Sequence, residues 1–350
     1  MTTRPNLRIT EGLATGAAND DVANADRMLS FDLSELGLCT RGPYAYTLCG
    51  WHTRSDIPLT SVLTSTYGDE SVDIVIQIAS GYSPIRKDGR RLTFEHSLEC
   101  SLIGIEDVAD FEVRRGREIN VWPAISAAQK DIEIFLSGFV WATLCHQRGL
   151  LPLHASAILA NGHITAFAGH SGVGKSTIAA LLGSFGYKLV ADDILPISFD
   201  QNSVPGAWPY LRRLKLKDDT INRLALTSTE LVSETLDKEK YFVRPTYSAD
   251  DRWSRLDRIY VLENRQTDPA PPIKQITGAD AVRSLIDQTY HFNFILGSGR
   301  FSDHLVFCTQ LASKVAVYSV RIPPSDETRK DIGFLLREHL EMRLRDRKTS

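Results

Sequence analysis

The chain has 350 residues, with 40 basic and 43 acidic side chains and a net charge of −3. That length supports two domains or one large one around a substantial core. The near-balanced charge excludes a general attraction to nucleic acid or to an anionic membrane.

No run approaches the ~18 apolar residues that a membrane helix needs, and the polar N-terminus lacks the apolar stretch of a signal peptide. Five cysteines (Cys39, Cys49, Cys100, Cys145 and Cys308) are scattered, with no C-x-x-C pair. This argues against a disulfide framework or a zinc site and for a reducing compartment. A cytoplasmic protein is expected, with no nucleic-acid or membrane partner. A homo-oligomer is compatible with the sequence.

Residues 1–26 read as a flexible tail, with little apolar periodicity. Short β-type runs begin at Tyr44-Ala-Tyr-Thr-Leu-Cys49 and continue through Val72–Ile78, Leu92–Phe94 and Phe111–Val113. Turn clusters at Gly81-Tyr-Ser-Pro84 and Lys87-Asp-Gly89 separate them, and Arg114-Arg-Gly116 predicts a hairpin into Glu118–Trp122. Residues 27–125 are therefore expected to form a smaller, mostly-β domain. The pattern then turns helical: Ile132, Phe135, Leu136, Phe139, Val140 and Leu144 share one face, and Gly149 supplies a stop. The boundary falls near 125, unless the two halves share one core.

Leu153–Ala160 and His163–Ala168 flank Asn161-Gly162, the strongest short-range hairpin signal. A two-residue turn fixes the register so that paired numbers sum to 323, which puts His154 opposite Gly169. Next comes Gly169-His-Ser-Gly-Val-Gly-Lys-Ser-Thr177, which fits G-x-x-x-x-G-K-[ST] at every fixed position. Such a loop wraps backbone N–H groups around a phosphate chain, its lysine reaches the β/γ-phosphates, and its serine completes a Mg²⁺ shell. Context agrees. A strand precedes it, and Ile178, Leu181, Leu182 and Phe185 give a helical face ended by Gly186. The expected nucleotide contacts are Gly169, Ser171, Gly172, Val173, Gly174, Lys175, Ser176 and Thr177.

Tyr187–Ala191 reads as a second strand, ended by Asp192-Asp193. A strand–helix–strand unit makes the two strands parallel, so acids and loop meet at the carboxyl edge of the sheet, where such sheets bind ligands. One acid could coordinate Mg²⁺ and the other accept a proton from an attacking hydroxyl.

Beyond this point the chain is less legible. Trp208–Asp219 contains Arg212, Arg213, Lys215 and Lys217 alternating around Leu214 and Leu216, a strand with one basic face. Lys238–Arg244 is a second basic candidate. Ile259–Leu262 and Val315–Val320 look like strands. Asn264-Arg-Gln-Thr-Asp268 misses the guanine-reading N-K-x-D spacing. Ser325–Arg345 reads as an amphipathic packing helix with Ile332, Leu335, Leu336, Leu340 and Leu344 on one face.

Leu153-His-Ala-Ser156, the Gly169–Ser176 loop and Leu189-Val-Ala-Asp-Asp193, in that order, resemble the kinase domain of HPr kinase/phosphorylase. The resemblance covers about residues 127–220 well and implies an α/β fold. It implies a P-loop kinase domain of the HPr kinase / phosphoenolpyruvate carboxykinase type over 126–350, preceded by the smaller mostly-β domain. It also implies ATP and Mg²⁺ as cofactors, Lys175 and Ser176 on phosphates and metal, Asp192 as base, His154 as its support, and Asp193 as a metal-side or substrate-side acid. His170 and Thr177 stand where HPr kinases usually carry Asp and Glu. The "RG-L-x-LHAS" block, Trp208-Pro-Tyr-Leu211 and the β-rich front look similar to HPr-kinase-related proteins found beside lasso-peptide and other peptide-modification genes. The function so implied is ATP-dependent phosphorylation of a Ser/Thr hydroxyl on a peptide, such as a precursor's C-terminal serine. The alternatives are a kinase of a small hydroxyl compound or sugar, and a nucleotide-dependent switch acting through a protein partner.

Overall fold

The computed structural model describes residues 44–60, 62, 65, 72–86, 89–233, 239–264, 272–322 and 332–342. The expected 1–26 tail lies outside them, as do Lys87, Asp88, Lys238, residues 265–268, residues 325–331 and Leu344.

Seven strands build the front sheet: β1 (Tyr44–Leu48), β2 (Trp51–Ser55), β3 (Ile74–Ile78), β4 (Leu92–Glu95), β5 (Cys100–Ile105), β6 (Ala109–Arg114) and β7 (Glu118–Pro123). Their order is β1-β2-β3-β7-β6-β5-β4. The β6–β7 hairpin turns through Arg115 and Gly116, both left-handed at φ 48° and 62°. Strand β2 escaped the sequence pattern because its inward residues are Thr53 and Ser55, buried but polar.

The expected helix is one continuous rod in three pieces: α1 (Gln129–Phe135), a π-helical turn (Leu136–Val140) and α2 (Trp141–Gln147). After it come β8 (Leu151–Leu153), β9 (Ala155–Ala160), β10 (His163–Gly169), α3 (Lys175–Ser184) and β11 (Lys188–Ala191). The chain continues through β12 (Leu195–Phe199), β13 (Pro205–Ala207), β14 (Leu214–Lys217), α4 (Asp218–Arg223), β15 (Ser228–Leu231) and β16 (Lys240–Val243). It ends with β17 (Ser254–Asn264), β18 (Ile273–Ile276), α5 (Gly278–Asp287), α6 (Asn293–Gly297), α7 (Phe301–Lys314), β19 (Ala316–Ile322) and a helix over 332–342. The architecture is mixed α/β.

The nine-stranded sheet runs β11-β9-β10-β17-β13-β12-β8, with β19 on β17 and β18 on β19. Asn161 and Gly162 take φ 55° and 79°, the two left-handed residues of a type I′ hairpin. The ladder pairs His163 with Ala160 and holds to Ala168 with Ala155. Strands β10 and β11 both run antiparallel to β9, so they are parallel to each other with β9 between them. Their carboxyl ends therefore meet at one edge.

Alternation along β9 and β10 sends residues to two cores. Ala155, Ala157, Ala166 and Ala168 face a cluster shared with the front sheet and with Trp141 of α2. Ile158, Ala160 and Phe167 face the other way, against Ile178 and Leu182 of α3 and Leu336 and Leu340 of the last helix. Alanines on the first face let the rod and the front sheet approach closely; burial of the larger side chains stabilises by ~25 cal/mol per Å².

Candidate active site

The Gly169–Thr177 loop leaves β10 on backbone that only glycine tolerates well. Gly169 has φ 152°, and a Cβ there would lie 2.8 Å from Val173 Cγ1 and 2.9 Å from the Leu262 carbonyl oxygen. Gly172 and Gly174 are left-handed at φ 82° and 110°. Ser171 and Gly172 are exposed at the tip, whereas the Val173 side chain is buried in the core and anchors the loop from beneath. Lys175, the first residue of α3, is folded back: its Nζ donates to the Gly169 and His170 carbonyls at 2.8 and 3.1 Å. Burial pushes its pKa down, opposed by the charges of Asp193 and Asp192. Ser176 and Thr177 begin α3 and line the same cleft, of about 320 Å³.

Two consecutive acids follow β11 and diverge. Asp192 is buried, 4% exposed. Its Oδ1 accepts from Ser176 Oγ at 2.8 Å and Ser156 Oγ at 2.5 Å, and its Oδ2 accepts from the Lys215 amide at 3.0 Å. Burial raises its pKa, and those donors pull it back. Asp193 instead adopts φ 76°, a strained conformation for a non-glycine residue that turns its side chain into the cleft. Its carboxylate is about 30% exposed, 2.9 Å from Lys215 Nζ and 3.4 Å from His154 Nε2. Burial alone would raise its pKa, but the Lys215 ammonium and His154 outweigh it and hold the carboxyl well below the usual range.

His154 stands one residue beyond the β9–β10 ladder, so it does not pair with Gly169. Its amide donates to the Gln288 carbonyl at 2.8 Å, and its ring meets Tyr290 edge-on at 5.4 Å. All the site residues read from the motifs thus gather at one edge. The structure adds Ser156, Thr220 and Tyr290, and it brings Lys240 of the second basic segment into the cleft. It also puts Lys215, read only as part of a basic strand face, between the two acids, with the amide on one and the ammonium on the other. Ser156 shares a face of β9 with Ile158 and follows His154 by two residues, the one signal by which strand period could have found it.

Among the described residues no three His, Cys, Asp or Glu side chains converge as a protein-only metal cage. The hydroxyl–carboxylate pair of Ser176 and Asp192 is hard oxygen chemistry, which fits Mg²⁺ held largely by water and substrate phosphates. No described helix is long and apolar enough to cross a membrane.

No family model matches the chain, and no curated protein matches it in sequence. Among solved structures, the Hpr(Ser) kinase/phosphatase from Coxiella burnetii is similar at 14% identity and a TM-score of 0.30, over 57% of this chain and 96% of that one. At that identity and score the likeness fixes nothing about this chain's chemistry, which rests on the cleft itself.

Proposed function

We propose that the cleft binds ATP with Mg²⁺ and transfers the γ-phosphoryl group to a serine or threonine hydroxyl, on a small peptide. The observation that carries this reading is the split of the two acids. Asp192 is tied to the hydroxyl of Ser176 in the glycine loop, and Asp193 is turned toward open space beside His154. That split supports assigning the metal side to Asp192 and the acceptor side to Asp193, the reverse of the motif mapping.

In this mechanism the loop amides of 171–176 and Lys175 hold the phosphates once Lys175 exchanges its two carbonyl partners for phosphate oxygens. Mg²⁺ would be held by Ser176 and Asp192 and would neutralise charge between the β- and γ-phosphates. Asp193 orients the acceptor hydroxyl and takes its proton. With its pKa held low it is a weak base, which suits a loose phosphoryl transfer where the proton moves late. His154 and Lys215 fix its direction.

The test is incubation with γ-labelled ATP, with and without candidate serine peptides, for the wild type and Lys175→Ala. Label transfer that requires Lys175 is expected. Label release to water alone, unaffected by any acceptor, would favour a nucleotide switch. Transfer that persists in a folded Lys175→Ala variant contradicts the proposal.

A further inference from the structure

His154 has to aim its Nε2 at Asp193, and nothing in the imidazole itself fixes that aim. The outer side-chain torsion of histidine is broad and roughly two-fold. The ion pair spans 3.4 Å between side chains that are 24% and 30% exposed. A part-exposed, screened pair of that length directs a ring only weakly. The direction therefore depends on what packs against the imidazole. Tyr290 supplies that packing: the two rings stand edge-on, with centroids 5.4 Å apart and planes at 86°, inside the preferred T-shaped range.

Tyr290 is itself firmly held. Its amide donates to the Pro152 carbonyl at 2.8 Å, and beside that bond Leu153 pairs with Thr289. Its carbonyl accepts from His146 Nε2 at 3.0 Å. Its ring meets Phe139 edge-on at 5.6 Å, and its hydroxyl lies near Gly138, where an added Cβ would come within 3.5 Å. Gly138 and Phe139 belong to the π-helical turn of the rod, an irregularity found often at functional sites. The next residue, His291, takes φ 57°. That conformation is uncommon outside glycine and persists only when the surroundings hold it. Tyr290 is thus a fixed wall, and His154 the ring that leans on it.

We propose that Tyr290 is a positioning residue, whose ring holds the His154 imidazole toward Asp193 and so fixes the acid that receives the acceptor's proton. Its effect on rate rests on the phosphotransfer reading above; the contact itself does not. The contact is made by the ring, so phenylalanine should serve in place of tyrosine. Nucleotide binding should be spared, because the glycine loop, Ser176 and Asp192 stay as they are.

Two measurements test this, and the first needs no activity. Modification of the histidines by diethyl pyrocarbonate is followed residue by residue with peptide mass spectrometry. His154 is expected to react about two- to tenfold faster in Tyr290→Leu, the change that loss of one edge-to-face pair implies. In Tyr290→Phe it should react as in the wild type. Unchanged labelling in Tyr290→Leu overturns the proposal, and so does an acceleration shared equally by the buried His304. The second measurement is single-turnover transfer from Mg²⁺–ATP to a serine peptide. Tyr290→Leu should be roughly tenfold slower, with Mg²⁺–ATP affinity within about twofold of the wild type. Tyr290→Phe should restore the rate. In a His154→Ala background, Tyr290→Leu should cost less than about twofold more, because the two residues act as one unit. A full additional loss there overturns positioning through His154. If the wild type transfers nothing to any acceptor, the phosphotransfer reading fails instead, and the labelling alone decides whether Tyr290 holds His154.

Discussion

The hydroxyl of Ser156, wholly buried in β9, donates to Asp192 Oδ1 across 2.5 Å. It fixes from behind a carboxylate that faces the glycine loop in front. Removing it leaves a buried charged acceptor one donor short, and hydrogen bonds to charged groups are worth ~1.5–3 kcal/mol. Ser156→Ala should lower the urea-unfolding free energy by about that amount. It should also weaken Mg²⁺-dependent nucleotide binding more than binding without the metal. An unchanged unfolding midpoint would show that the short bond contributes nothing.

The glycines of the loop should differ in cost. Gly169→Ala places a methyl 2.9 Å from the Leu262 carbonyl oxygen, which as backbone of β17 has little freedom to move. A strained backbone and a steric shift of this kind cost on the order of 1–3 kcal/mol each. Nucleotide binding should be lost while the fold, followed by circular dichroism, persists with a lowered midpoint. Gly172→Ala meets open space and pays only for its left-handed φ of 82°, about 1–2 kcal/mol at most. Equal effects of the two substitutions would contradict the geometry.

Acid should unfold the protein through its buried histidines. Burial lowers the pKa of His146 and His291 to about 3 and that of His304 to about 4. All three are neutral in the fold and titrate near 6.5 when unfolded. A folded pKa below the unfolded one means the unfolded chain takes up protons first. Stability is therefore full above about pH 6.5 and is lost as pH falls toward 4, by ~1.4 kcal/mol per unit for each histidine. Urea titrations between pH 7 and 5 should show that decline, and replacing His304 with Gln should flatten it by about one proton. A stability independent of pH in this range would contradict their burial as neutral rings.

Local chemistry made part of this legible. Asn161-Gly162 dictates a type I′ turn on backbone sterics alone, and the turn dictates the register of Ala155–Ala168. Parallel strands around α3 then bring loop and acids to one edge. Direction within that edge was not legible, because the left-handed backbone of Asp193 depends on what packs around it. Lys215 was visible only as one of several basic residues on a short strand. Its amide meets Asp192 through a pairing that spans 23 positions in sequence. Strands β12 and β13 are short and left no separate signal, whereas α5 does carry an apolar face, Ala281, Val282, Leu285 and Ile286, that the sequence reading passed over.

Phosphotransfer at this corner requires a division of labour between the two acids. The direct measurement is a single-turnover assay of γ-phosphoryl loss from Mg²⁺–ATP, run beside nucleotide calorimetry on Asp192→Asn and Asp193→Asn. Asp192→Asn should weaken Mg²⁺–ATP binding by roughly tenfold or more, through the lost carboxylate beside Ser176. Asp193→Asn should bind it nearly as the wild type does, yet transfer roughly 10²–10⁴-fold more slowly, the span for loss of a positioned base. The opposite pattern would return the base to Asp192, and equal mild losses in both would contradict phosphotransfer at this corner.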